Sequence, residues 1–249
     1  MQKVISITTF CPLWKEPSYK KEMISQLLFG EQAYILEEDR NFTHVRCVDD
    51  GYEGWCMNNQ LAEIPVNAGF ELKGYINETG AIAEINNSII HLPVAAPVYI
   101  DMHFGAFKIR YPEKEFLRIP DIKPIESNAR HLAMLFLNTP YLWGGKSSFG
   151  IDCSGFTQQI FKMMGIALPR DAYQQVTTGE TVDFLQQARC GDLAYFDNEQ
   201  GDIIHVGMLL NSNSIIHASG YVRVDAIDHL GIINTITGKR SHSLRIIKR

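Results

Sequence analysis

An α+β chain is predicted, strand-rich before residue 120 and mixed after it. Two observations carry this expectation. Short β-prone runs separated by turn residues fill the first half, at 4–8, 32–37, 44–48 and 54–57, then at 81–85, 88–92 and 97–100. The second half alternates differently, with apolar residues at helical spacing first and β-prone runs afterwards. A chain of 249 residues has room for one large domain or two to three smaller ones.

In the first half, Asp50-Gly51 is a hairpin turn signal, and Gly54-Trp55 re-enters a strand behind it. Pro120-Asp-Ile-Lys-Pro124 reads as a linker, because two prolines disfavour both helix and ladder. Leu132, Leu135 and Phe136 then predict a helix over 128–138. The glycine-rich stretch Gly144-Gly145 permits backbone shapes closed to other residues and reads as loop.

Asp152 follows as an N-cap, with Phe156, Ile160, Phe161 and Met164 on one helical face. Cys153 therefore opens a helix, where free N–H groups and the helix dipole favour an anion. A thiol so placed is expected to ionise below the free value of about 8.5, at roughly 3.5–7.5, and the thiolate is the nucleophile. Downstream, 191–196 reads as a strand, and 205–210 and 214–219 as a hairpin around Asn211-Ser-Asn213. That hairpin sets His205 beside His217, so that one imidazole serves the thiol and the second orients the first. A lone histidine is more often a partly buried structural residue; a helix-start cysteine followed by two strand histidines reverses that preference. His44, His91, His103, His131, His229 and His242 sit in no comparable setting and are assigned no role.

Net charge of −5 and a pI near 5.9, with no basic stripe, argue against nucleic acid as a partner. The N-terminal segment lacks the apolar core of a secretory signal, and no stretch has the length of a membrane helix. Five cysteines, an odd count without CxxC spacing, fit a reducing compartment. A cytoplasmic location is expected, with periplasmic or extracellular placement if a leader once preceded the chain.

In order along the chain stand Tyr141-x-Trp-Gly-Gly, Asp152-Cys153-Ser154-Gly155, Leu168-Pro-Arg-Asp-Ala172, Gly191-Asp192-Leu193, His205-Val-Gly207 and Ile216-His217. Together they resemble the NlpC-type cell-wall cysteine peptidases, from near residue 125 to the C-terminus. The resemblance implies a compact papain-like domain over 123–249, working without metal or organic cofactor. It also implies hydrolysis of the bond between γ-D-glutamate and a diamino acid in peptidoglycan stem peptides.

The 49–55 stretch resembles a bacterial SH3-like barrel over 1–64, and 65–122 is expected to hold a second, more divergent barrel with the linker. Similar barrels ahead of such peptidases imply selection of peptides with a free N-terminal L-alanine, hence murein peptide recycling by a monomer.

Cys153, His205 and His217 are the expected catalytic set, with Tyr141 as the oxyanion candidate or else an aromatic floor residue. Asp152, Ser154, Asp171 and Tyr52 are the substrate-binding candidates. The competing readings are helix capping for Asp152, Ser154 and Asp171, and barrel packing for Tyr52. Arg170 meets either a substrate carboxylate or a surface acid. A papain-like acyltransferase and a wall-binding autolysin acting on intact peptidoglycan stay open as alternatives. So does a zinc site built from Cys153, His205 and His217.

Overall fold

The computed structural model describes residues 1–66, 68–99, 102–104, 106–111, 116–118 and 125–249. The chain divides into two units, Met1–Ile122 with Trp143–Phe149, and Lys123–Leu142 with Gly150–Arg249. The predicted linker at 120–124 lies outside the described residues.

In the first unit, β1 (Lys3–Ser6), β2 (Phe10–Trp14), β3 (Met23–Leu28), β4 (Gln32–Asp39), β5 (Phe42–Cys47), β6 (Glu53–Met57) and β7 (Leu61–Ile64) build one antiparallel sheet. Its order is β3-β2-β6-β5-β4-β1-β7. The β5–β6 hairpin turns at Gly51, whose φ of +71° is readily available to glycine, as Asp50-Gly51 predicts. Val4, Leu13, Leu27, Val45, Cys47 and Cys56 fill the core of this sheet. Strand β2 is not apparent from the sequence because Pro12 interrupts its pattern, yet it pairs with β3 across that proline.

Beyond it, β8 (Leu72–Ile76), β9 (Ile82–Ile85), β10 (Ser88–His91), β11 (Pro97–Tyr99), β12 (His103–Phe104), β13 (Phe107–Arg110) and β14 (Phe116–Arg118) form two small sheets among the described residues, ordered β10-β9-β13-β12 and β11-β8-β14. Ile76, Leu92 and Val98 from this part share a buried cluster with Ile5, Phe29 and Ile64.

The loop Trp143–Phe149, which carries β15 (Lys146–Ser147), lies with this unit. Trp143 Nε1–H donates to Glu22 Oε1 at 3.0 Å, and the Lys146 N–H donates to Gln26 Oε1 at 2.8 Å. The Lys146 ammonium is buried 3.4 Å from Glu31 Oε2 and 3.9 Å from Asp50 Oδ2. Gly144, at φ +74°, runs so close to the Met23 carbonyl that a Cβ would sit 2.5 Å from its oxygen. The loop's glycine is thus required by both backbone shape and close approach.

The second unit holds α1 (Ile125–Met134), β16 (Gly150–Ile151), α2 (Cys153–Met163), α3 (Ala172–Gln175) and seven further strands. These strands are β17 (Thr181–Val182), β18 (Leu193–Asp197), β19 (Ile203–Asn211), β20 (Ser214–Ser219), β21 (Tyr221–Asp228), β22 (Gly231–Ile233) and β23 (Arg240–Lys248). Their order is β17-β23-β18-β19-β20-β21-β22, and an additional β22–β23 pairing closes six of them into a ring around Ala194, Phe196, Leu209, Ile215 and Ile232.

The first helix starts and stops earlier than the predicted 128–138, and Asn138 at φ +67° donates its N–H to Val222 O instead. Helix α2 ends in a Schellman pattern: Gly165 N–H meets Lys162 O and Ile166 N–H meets Phe161 O, with Gly165 at φ +77°.

Candidate active site

Asp152 caps α2 as the sequence predicts, its Oδ1 accepting the Gly155 N–H at 2.7 Å. Cys153 is the first helical residue and is 8% exposed. Its thiol takes backbone hydrogen bonds from Val206, the neighbour of His205, and from Ser154.

The expectation of a readily ionised thiol is overturned. Burial first, and the Asp152 carboxylate second, push the Cys153 thiol up to about 12, against the smaller opposing effects of the Val206 N–H, Arg170 and the Ser154 N–H. The helix-start contribution is present but is outweighed by loss of water around the sulfur.

Arg170 explains part of that balance. It is fully buried and forks onto Asp152, with Nη1 3.0 Å from Oδ1 and Nη2 2.6 Å from Oδ2, while Nη1 also donates to Ser154 Oγ at 3.0 Å. The partner of Arg170 is therefore neither a surface acid nor left for substrate but the buried Asp152, inside the fold. Ser154 Oγ also bonds Asp152 Oδ1 at 3.3 Å, so both side chains expected to contact substrate are turned into this network. Gln175 ties α3 to the same place, donating to Ser154 O at 3.0 Å and to Pro169 O at 2.8 Å.

Strands β19 and β20 bring the two histidines together as predicted: His205 Nε2 lies 2.8 Å from His217 Nδ1. Gly207 makes the approach possible, since a Cβ there would fall 2.8 Å from His217 Cβ. Both rings are buried, and burial is the main cause that lowers both pKa values below the ordinary histidine range. For His217 a hydrogen bond to Asp225 opposes that fall.

Sequence reasoning missed what stands beyond them. Asp225 Oδ2 lies 3.1 Å from His217 Nε2 and accepts Arg223 Nε–H at 2.8 Å. Its Oδ1 accepts the Thr235 N–H at 2.9 Å and Oγ1–H at 2.8 Å. Burial alone would raise this carboxyl, but the bonds from His217, Thr235 and Arg223 hold it well below the usual carboxylate range. The sequence signal was available: β21 pairs His217 with Arg223, so Asp225, two residues on, lies diagonally across on the same face.

His242, which the sequence leaves without a role, is likewise corrected. From β23 it stacks on His205 with centroids 4.1 Å apart and planes at 21°. Burial, with His217 and Arg223, pushes its pKa down to about 4.

Tyr141 is half-buried and is held by its N–H on Gly220 O at 2.9 Å. Burial, then Cys153 and Asp152, raise its phenol above the ordinary range, leaving it a proton donor. Asp171 caps α3 in a capping box with Gln174, the alternative role weighed for it. Tyr52 belongs to the first unit, where it packs against the barrel core and donates its N–H to Asp50 Oδ1 at 3.0 Å.

A cysteine opening a helix, next to a strand that carries one member of a histidine pair, is the arrangement that a thiol nucleophile and its base require. The NlpC/P60 family profile matches residues 138–241, and that of the bacterial dipeptidyl-peptidase Sh3 domain matches 13–61. A gamma-D-glutamyl-L-lysine dipeptidyl-peptidase of Bacillus subtilis is 31% identical over 78% of this chain and 71% of its own. One from Bacillus cereus is 28% identical over 95% and 80%. A solved NlpC/P60 family protein from Bacillus cereus superposes with a TM-score of 0.79 at 21% identity, covering 99% of each chain. The chain belongs to the NlpC/P60 family, with an SH3-like domain at its N-terminus.

Proposed function

We propose that the protein cleaves the bond between γ-D-glutamate and a diamino acid in peptidoglycan-derived peptides, releasing L-Ala-γ-D-Glu from peptides whose L-alanine is free. The observation that carries this is the extent of likeness: relatives named gamma-D-glutamyl-L-lysine dipeptidyl-peptidase align through both halves of the chain, SH3-like part included. A free-amine requirement fits recycling of wall fragments in the cytoplasm by a monomer, with residues 65–122 a second barrel and 123–249 papain-like.

Cys153 is the nucleophile and His205 its base. With His205 Nε2 engaged by His217, Nδ1 is the ring nitrogen left for the thiol. Burial favours the protonated thiol and the neutral imidazole in the resting site, so His205 is present as the base that takes the thiol proton. The Cys153 sulfur adds to the γ-glutamyl carbonyl as its proton moves to His205. Tyr141 O–H and the Cys153 N–H face the developing oxyanion. His205 then protonates the leaving amine, and water cleaves the thioester. Asp171 is the carboxylate offered to the substrate ammonium, whereas Asp152 and Ser154 act through Arg170 to shape the helix start.

The test is incubation with L-Ala-γ-D-Glu-L-Lys and its N-acetyl form, reading L-Ala-γ-D-Glu release by mass spectrometry. Acetylation should lower kcat/KM about a hundredfold, the loss of one charge-assisted bond of roughly 2–4 kcal/mol. Equal rates would remove the free-amine requirement and favour intact wall as substrate.

A further inference from the structure

We propose that Asp225 is a positioning residue that sets the tautomer of both histidines, turning His205–His217–Asp225 into a hydrogen-bond chain of one direction ending at Cys153. The inference rests on Cys153 and His205 being the working pair.

Donors and acceptors fix the direction of this chain. An ionised carboxylate only accepts, so the contact between Asp225 Oδ2 and His217 Nε2 at 3.1 Å places a proton on Nε2. Neutral His217 then has a bare Nδ1, which at 2.8 Å can only accept from His205 Nε2–H. Neutral His205 is in turn left with a bare Nδ1, the nitrogen a thiol base must offer. Reversing the first link would reverse every later one and leave Nδ1–H facing the thiol.

Two features keep the first link fixed. Each Asp225 oxygen already accepts from a second group, Thr235 on one side and Arg223 on the other, so the carboxylate is saturated and cannot swing. Arg223 also neutralises the carboxylate's charge beside His217, which favours a neutral, tautomerically defined ring over an imidazolium. The groups facing the pair are His205 from β19, Arg223 and Asp225 from β21 and His242 from β23. His242 stacks on a ring face and competes for neither linking nitrogen. Asp225 touches no reacting atom; it acts through two rings.

Asp225→Asn is the direct variant. With its oxygen kept on the two Thr235 donors, its amide presents N–H to His217 Nε2 and inverts the chain. Replacing the acid that orients a catalytic histidine directly is worth about 10⁴ in kcat; acting one ring further away, Asp225→Asn is expected to lower kcat about 30-fold with KM within about twofold. Wild-type kcat, or a loss confined to KM, overturns the proposal.

Nitrogen-15 NMR of histidine-labelled wild-type protein at neutral pH needs no variant to fold: protons on Nε2 of both His205 and His217 are expected, and a proton on His217 Nδ1 overturns the proposal. Cys153→Ala separates the two readings. If it stays active the underlying mechanism fails, whereas an inactive Cys153→Ala with the opposite tautomers defeats Asp225 alone.

Discussion

Gly207→Ala tests whether the His205–His217 contact is set by backbone proximity. A Cβ at residue 207 would lie 2.8 Å from His217 Cβ, 2.8 Å from Ile215 Cδ1 and 3.0 Å from Ile215 Cγ1. Carbon pairs prefer about 3.5–4.0 Å, so a shift of roughly 0.7–1.2 Å from the 2.8 Å contact is required. The Ile215 tip can rotate away, but His217 Cβ is rooted in β20 and moves only with its strand. A displacement of that size stretches the 2.8 Å His–His bond past useful length. Misplacement by about 1 Å at a catalytic group costs on the order of a hundredfold, the expected loss in kcat/KM. Overpacking adds about 1–3 kcal/mol of destabilisation, read as a fall in thermal midpoint. Gly69, where an added Cβ would meet nothing within 4 Å, supplies a neutral Gly→Ala control. Steady-state kinetics and thermal melts on both variants are sufficient. Wild-type kcat/KM in a Gly207→Ala protein of unchanged midpoint would refute the reasoning.

Cys153→Ala should abolish hydrolysis in a folded protein, His205→Ala should remove nearly all of it, and His217→Ala should leave a measurable fraction; purified variants of matched stability test the ranking, and a more damaging His217→Ala reverses the two roles. Stability should fall as pH drops below about 6.5, because the unfolded chain protonates His205 and His217 there while the folded chain resists. The loss is at most about 1.4 kcal/mol per pH unit for each ring, and the carboxyl of Asp225, already ionised in both states in this window, does not offset it. Urea midpoints at pH 7, 6 and 5 read the effect, and a flat profile contradicts neutral burial.

Local signals were legible in the chain itself. Asp152 before an apolar helical face predicts where α2 begins, and Asn211-Ser-Asn213 between β-prone runs predicts the hairpin that joins His205 to His217. Asp50-Gly51 predicts the β5–β6 turn. These are decided by capping, turn chemistry and side-chain period, all of which act over a few residues.

What tertiary structure alone decided is how non-local groups are shared. Arg170 and Asp152 are 18 residues apart and meet because α2 and the segment before α3 pack together; no periodicity relates them. His242 reaches His205 because β18 pairs with β19 on one side and with β23 on the other, far apart in the chain. The thiol's upward shift has the same origin: the helix start is written in sequence, but the loss of water around the sulfur belongs to the packed fold, and that larger effect sets the protonation state.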